Sequence, residues 1–132
     1  MKKLITTILF IATTCLASAQ ARYTADYYKA DPAKYLNKVV TVKIDSAQPS
    51  SFEAVKGYVS YHCWTAYNGE RGGYIYVLVP SKKSKAFLRD YKEPKSKIKV
   101  DGYAKSATRD LRAKFTQVEW ESGAKEYVLI VQ

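Results

Sequence analysis

The sequence predicts a mainly β protein, a small barrel of five to six strands with a helix between its third and fourth strands and a short N-terminal helix. Three observations support this prediction. Apolar and polar residues alternate with the period of a β-strand in several segments. Glycine and asparagine, which tolerate the positive φ of a hairpin turn, separate two of these segments. Pro80 and Pro94 bound a helical pattern that lies between strand patterns.

The N-terminal half of this pattern contains a helix and three strands. Asp31 precedes Pro32 as a capping residue, so we expect a short helix or turn over residues 32–37. Strands are expected at residues 40–44, 55–65 and 73–79, and the link at residues 66–72 contains Asn68-Gly69. The apolar residues that alternate with polar or aromatic ones in the first and third strands are Val40, Val42, Ile44, Ile75, Val77 and Val79.

The C-terminal half begins with a helix that opens at Ser81, and its side chains at Phe87, Leu88 and Tyr91 share one face. A fourth strand is expected at residues 97–103, where apolar residues or glycine alternate with charged ones. The segment from residue 105 to residue 126 predicts an extra strand or an irregular basic loop. Within it, residues 115–120 fit a strand and Ser122-Gly123 a turn, and residues 127–131 form the last strand.

The order of these elements resembles the OB-fold, a five-stranded barrel with its helix between strands three and four. The opening "DPAKYLNKVVTVKI" is similar to the start of many bacterial OB domains, including exported ones. The resemblance covers residues 31–131 and implies a ligand-binding face on the second and third strands. An SH3-like barrel and an open α+β sheet are the alternatives. Because OB barrels bind nucleic acids, oligosaccharides or proteins, the fold alone does not identify the ligand.

The first 19 residues predict a secretory signal peptide, with a positive start, an apolar run over residues 4–16 and small residues before Gln20. We therefore expect a periplasmic or secreted protein with one domain, residues 20–132, and no transmembrane segment. The alternatives are an uncleaved membrane anchor, for which the run is short, and lipidation of Cys15. After cleavage Cys63 is the only cysteine, so no internal disulfide is possible.

Basic charge is concentrated in one third of the chain. The formal net charge is +10, of which Lys2 and Lys3 belong to the signal peptide. Residues 81–114 contain 12 basic and 4 acidic side chains, whereas the basic and acidic residues of the remaining mature chain cancel. This distribution predicts a basic face that attracts polyanions, although solvated lysines that aid solubility are the alternative.

The candidate binding residues follow from side-chain alternation on the second and third strands. If Val59, Tyr61, Cys63 and Thr65 face the core, the residues between them face outward. The outward surface is then aromatic, and it predicts a ligand platform or a surface that packs against other elements or a second copy. The predicted platform residues are Tyr58, His62, Trp64, Tyr74 and Tyr76, with Leu78 also outside and with Lys43, Lys97 and Lys99 assisting.

A second candidate is an anion site at the start of the predicted helix, formed by Lys82, Lys83 and Lys85. Free backbone N–H groups and lysines suit a phosphate or sulfate, but lysines in water explain the pattern equally well.

Other chemistry has little support in the sequence. His62 and Cys63 are adjacent on a strand and point to opposite faces, so they cannot share a metal ion or form a nucleophile pair. Glu119 and Glu121 would share a face on a strand, which is compatible with paired acids for glycoside hydrolysis but also with a solvated edge. We therefore expect neither an enzyme, nor a cofactor, nor a metal.

These observations lead to two functional hypotheses. The first is an exported binding module for a polyanionic or glycan ligand of the cell envelope, or for extracellular nucleic acid. The second is a structural or assembly protein that uses the aromatic face for contact with a protein partner or for self-association.

Overall fold

The computed structural model describes residues 22–51, 55–92, 97–100, 103–106 and 108–132, with the backbone alone for residues 97–100 and 103–106. The predicted signal peptide and Cys15 lie outside these residues. The helices are α1 (Ala25–Ala30), α2 (Pro32–Tyr35) and α3 (Ser84–Tyr91), the last preceded by a 3-10 turn (Ser81–Lys83). The strands are β1 (Lys38–Pro49), β2 (Tyr58–Tyr67), β3 (Glu70–Pro80), β4 (Lys97–Val100), β5 (Tyr103–Ser106), β6 (Arg109–Glu119) and β7 (Lys125–Ile130).

Five strands form a closed barrel in the order β1-β2-β3-β7-β6. β3 and β7 pair in parallel, and the other neighbours in the barrel are antiparallel. The predicted fold class is confirmed, including the helix that follows β3 and the short helices near the N-terminus. This closed barrel is compatible with the OB-like barrel predicted from element order. No helix among the described residues is long and apolar enough to cross a membrane.

The fourth strand of the barrel differs from the predicted one. The segment predicted as that strand forms β4, which pairs with β5 in a separate two-stranded sheet. The barrel is closed instead by β6, which pairs with both β1 and β7. Leu111, Ala113 and Phe115 of β6 point into the core. Because one of the three inward residues is only alanine, the apolar signal of this alternating strand is weak in the sequence.

The facing predicted for β2 and β3 is confirmed on the inner side. Tyr61, Cys63 and Thr65 are buried and Val59 packs against the core, as do Ile75, Val77 and Val79. The turn between these strands is also as predicted. Asn68 and Gly69 have φ values of 50° and 80°, the left-handed pair that a two-residue hairpin turn needs.

The outer side of the sheet is not solvated everywhere, which corrects the prediction for Leu78. Leu78 and its partner in register, Ser60, alternate with the inward residues, yet they are only 1% and 4% exposed. Val128 on β7 is buried as well and lies outside the main core cluster. Alternation determines which side of a sheet a residue faces, but it does not determine whether that side meets water.

Helix α1, which the sequence did not predict, is attached to the hairpin of β2 and β3. The Thr24 hydroxyl caps the helix by accepting from the backbone N–H of Tyr27. The Thr65 hydroxyl accepts from the Ala25 N–H at 2.9 Å and lies 2.9 Å from the carbonyl oxygens of Gly72 and Gly73. A side chain at Gly72 would overlap Thr24. The glycine therefore permits the helix to approach the strand.

Replacement of Thr65 by valine is expected to lower the free energy of unfolding by about 1–3 kcal/mol, because the buried Ala25 N–H loses its acceptor while the side chain keeps its shape. Urea unfolding measures the loss, and hydrogen exchange should become faster at the Ala25 amide. Thr41→Val is the control, since Thr41 is half-buried on the outer face of β1. Equal stability of the two variants would show that the Thr65 hydroxyl does not hold α1.

Candidate functional site

Five aromatic side chains form a continuous cluster on the outer face of β2 and β3, which we call the aromatic ridge. The register places His62 opposite Tyr76 and Trp64 opposite Tyr74. His62 stacks on Tyr74 with ring centroids 4.5 Å apart and meets Trp64 and Tyr76 edge-on at 5.1 and 5.4 Å. Tyr74 lies 5.8 Å from both Trp64 and Tyr76. The fifth ring is Trp120, whose centroid is 5.6 Å from that of Tyr76.

The ridge combines exposed and supporting rings. Trp64 and Tyr74 are 41% and 37% exposed, whereas His62, Tyr76 and Trp120 are half-buried. Tyr58, the remaining predicted platform residue, is 37% exposed but lies opposite Pro80 at the start of β2. Among the described residues it makes none of the ring contacts that join the ridge. The structure therefore brings together four of the five predicted aromatic residues and adds one.

Trp120 was missed as a site residue because the sequence suggested that it continues a strand. β6 ends at Glu119, and the chain then turns through Gly123, whose φ is 84°. Two backbone hydrogen bonds of 2.8 Å close this turn, from Trp120 N–H to Ala124 and from Gly123 N–H to Trp120. The turn directs the Trp120 ring toward Tyr76. The same turn keeps Glu119 and Glu121 from sharing one strand face, as the paired-acid interpretation required.

A pocket of about 520 Å³ lies at the Trp120 end of the ridge. Its aromatic walls are Tyr74, Tyr76 and Trp120, and its acidic walls are Glu121 and Glu126. The indole Nε1 of Trp120 donates to Glu126 Oε2 at 2.8 Å, which fixes the orientation of this carboxylate. The remaining lining residues are Ser51, Ser122 and Ala124. The pocket thus offers π faces, carboxylates and hydroxyl groups to one ligand.

Two ionisable groups at the pocket are perturbed by their surroundings. Burial, and secondarily the charge of Glu126, raises the pKa of Tyr76, so its phenol remains a neutral hydrogen-bond donor. Lys29 of α1 lies over the Tyr74 ring, 4.7 Å from the centroid, and its ammonium donates to the Tyr74 carbonyl at 2.7 Å. Burial lowers the pKa of Lys29, and the charges of Glu126 and Asp26 oppose this change.

A second pocket, of about 380 Å³, lies at the Trp64 end of the ridge. On the same outer face, Ser46 of β1 stands opposite Trp64 and Gln48 opposite His62. Asp45, Thr65 and Arg71 complete its polar lining. Each end of the ridge therefore meets a concave surface with hydrogen-bonding groups.

Of the three predicted assisting lysines, Lys43 is the one whose side chain the structure describes. Lys43 forms an ion pair with Asp110 at 2.8 Å and lies 5.8 Å from the Tyr23 ring centroid. Lys97 and Lys99 belong to β4, outside the barrel sheet, and their side chains lie outside the described part of the structure. The predicted role of these lysines in ligand binding stays a prediction.

The predicted anion site is at the other end of β3. Lys82 and Lys83 lie in the 3-10 turn and Lys85 in α3, all exposed, with Lys83 donating to the Gln132 carbonyl at 2.7 Å. Four residue steps separate Pro80 from Tyr76, the ridge residue of β3 closest to it in sequence, which corresponds to about 13 Å along a strand. The lysine cluster and the aromatic ridge are therefore separate surfaces.

His62 and Cys63 occupy opposite faces of β2, as the alternation predicts. His62 belongs to the ridge, whereas Cys63 is fully buried in the core as a free thiol. Burial raises the pKa of Cys63 strongly. No group of three or more His, Cys, Asp or Glu residues in the described ranges could hold a metal ion.

Neither a protein-family model, nor a curated protein, nor a solved structure matches this chain significantly.

Cys63 is expected to be unreactive toward a thiol reagent in the native protein, because the thiol is buried and the reactive species is the thiolate. In urea the same thiol should react at the rate of a free cysteine. A disulfide reagent that releases a coloured product measures the rate of thiol reaction in the native and in the unfolded protein as urea is increased. Rapid reaction in the folded protein would mean that β2 opens locally or that Cys63 is not in the core.

Proposed function

We propose that this protein is an exported, non-enzymatic module with an OB-like barrel and that its aromatic ridge binds a glycan of the cell envelope. The observation that carries the proposal is the ridge between two polar pockets, with Trp64 at one end and Trp120 at the other. Exposed aromatic side chains on adjacent strands form a surface for stacking. The pockets supply the polar groups that fix a ligand's orientation.

A sugar suits this combination of groups. The C–H faces of a pyranose are weakly positive and pack on the negative face of an aromatic ring. The ring hydroxyls both donate and accept hydrogen bonds, so they are matched by Glu121 and Glu126 at one end and by Gln48 at the other. Successive rings of the ridge are 5.6–5.8 Å apart from Trp64 through Tyr74 and Tyr76 to Trp120. This extended surface favours an oligosaccharide over a single sugar.

Nucleic acids and other polyanions are less well matched to the ridge. Glu121 and Glu126 line the pocket at the Trp120 end and would repel a phosphate backbone, whereas the charges of Asp45 and Arg71 cancel in the other pocket. The lysine cluster at Lys82, Lys83 and Lys85 is too remote to compensate, since charges are screened over about 8–10 Å at physiological salt. We propose instead that this cluster draws the protein toward anionic components of the envelope, while the ridge supplies selective binding.

A second candidate function is assembly through the same surface. It is favoured by the adjacent exposure of Trp64 and Tyr74, since large exposed aromatic residues are common in protein interfaces. Under this alternative the ridge becomes buried between two copies or against a partner. Sedimentation at increasing protein concentration distinguishes the two functions: a monomer that binds oligosaccharides favours the glycan module, and a dimer that buries Trp64 favours assembly.

Trp64→Ala is expected to weaken glycan binding by roughly tenfold or more, because a stacked ring contributes about 1–3 kcal/mol. Calorimetry with peptidoglycan fragments and with β-1,4-linked tetrasaccharides measures the loss of affinity. The double variant Trp64→Ala/Tyr76→Ala should abolish binding at every salt concentration. The control is Tyr58→Ala, which removes a similarly exposed ring from the same strand but outside the ridge. Normal binding by the double variant would refute the role of the ridge.

Charge reversal at Lys82 and Lys83 is expected to leave oligosaccharide affinity unchanged and to flatten the salt dependence of binding to heparin. The physical reason is the loss of charges that release counterions on binding a polyanion. Lys34→Glu combined with Lys38→Glu changes the net charge equally in α2 and at the start of β1, both exposed sites. If both double variants had the same effect on heparin binding, net charge rather than the cluster would be responsible.

A further inference from the structure

The pocket at the Trp120 end has the groups that recognise a cation. Ammonium groups are attracted to the faces of Trp and Tyr rings, and this attraction increases when the ring is shielded from water. Here Tyr76 and Trp120 form half-buried walls, while Glu121 and Glu126 provide two carboxylates in the same pocket. The Trp120 indole already occupies one oxygen of Glu126, so this carboxylate is held in place rather than free to rotate into solvent.

The side chain of Lys29 is an example, within the protein, of an ammonium group that contacts the aromatic ridge. Its Nζ lies over the Tyr74 ring and also donates to the backbone carbonyl of Tyr74. A second cation close to Tyr74 would be repelled by Lys29. Lys29 also interacts electrostatically with Glu126. The favourable position for a ligand's ammonium is therefore beside Trp120 and Glu121, with Glu126 as a second carboxylate that it shares with Lys29.

The basic character of the whole chain does not oppose a cationic ligand at this position. The excess positive charge belongs to residues 81–114. The predicted anion cluster within that segment lies near Pro80, about 13 Å along β3 from Tyr76, the ring that contacts Trp120. At physiological ionic strength this separation exceeds the screening length of about 8 Å. The two charged residues that line the pocket, Glu121 and Glu126, are both acidic.

We infer that this pocket binds the protonated amine of an amino sugar, so that the preferred ligand is a glycan with free, non-acetylated amino groups. This inference rests on the proposed glycan-binding function and specifies its ligand class. Acetylation of the amine removes the charge and leaves one N–H donor where the ammonium had three for Glu121 and Glu126 to accept from. The neighbouring sugar rings then continue along the ridge past Tyr76 toward Trp64, since Lys29 and His62 already contact the faces of the Tyr74 ring.

The test compares three β-1,4-linked tetrasaccharides, of glucosamine, N-acetylglucosamine and glucose, by calorimetry at physiological salt and a mildly acidic pH at which the glucosamine amines are protonated and glutamates stay ionised. The glucosamine tetramer is expected to bind roughly tenfold more tightly than the other two, in line with a shielded cation–π contact and a charge-assisted hydrogen bond. Glu126→Gln keeps the shape of the side chain and an acceptor for Trp120 but removes the charge. This variant should reduce the preference for the glucosamine tetramer over the other two to roughly threefold or less. Glu121→Gln, in the exposed turn, should reduce the same preference.

Glu119→Gln is the matched control. It changes the net charge equally at the end of β6, opposite Lys125 and outside the pocket, and should leave the preference intact. Equal affinity for the three tetramers would overturn the inference and leave the glycan proposal standing. An unchanged preference in both Glu126→Gln and Glu121→Gln, with normal thermal unfolding, would also overturn it. Failure of every tetramer to bind would overturn the proposed function together with the inference.

Discussion

The antiparallel register of β2 and β3 is the constraint on which the candidate site depends. The pairing of His62 with Tyr76 and of Trp64 with Tyr74 brings four aromatic rings together on the outer face, while Cys63 and Ile75 meet inside. A shift of one residue would exchange the two faces. The barrel core prevents such a shift, since it would expose a continuous set of buried aliphatic side chains. The geometry of the ridge is thus coupled to the stability of the fold.

The ridge is completed by elements that belong to other parts of the chain. The turn after β6 supplies Trp120, and the parallel pairing of β3 with β7 brings Glu126 beside the outer face of Tyr76. Helix α1 supplies Lys29, and its attachment depends on the Thr65 hydroxyl on the inner side of β2. The hairpin of β2 and β3 therefore has the aromatic ridge on its outer face, and the inward-facing Thr65 of β2 binds the helix that supplies Lys29. Loss of that helix would change the site without removing any ring.

The sequence was sufficient for the parts of this site that depend on local periodicity. Alternation predicted the facing of β2 and β3, and the Asn68-Gly69 pair predicted their turn, because both signals lie within a few residues. Trp120 could not be predicted, since its position depends on where β6 ends and on pairing with β7. The strand β6 itself has a weak apolar signal, whereas the more regular pattern predicted as the fourth strand contributes β4 to a separate two-stranded sheet. Burial of Leu78 likewise depends on tertiary contacts that alternation does not encode.

The separation of charge from aromatic surface changes how the basic composition should be interpreted. Composition alone combines the lysines and the aromatic rings into one polyanion-binding face. In the folded chain, the rings lie beside Glu121 and Glu126, while Lys82, Lys83 and Lys85 lie near the opposite end of β3. Two surfaces separated by more than the screening length act nearly independently. Different residues can therefore account for long-range attraction to an anionic environment and for selection of a ligand by shape and hydrogen bonding. Substitution of one set of residues can then change one property without loss of the other.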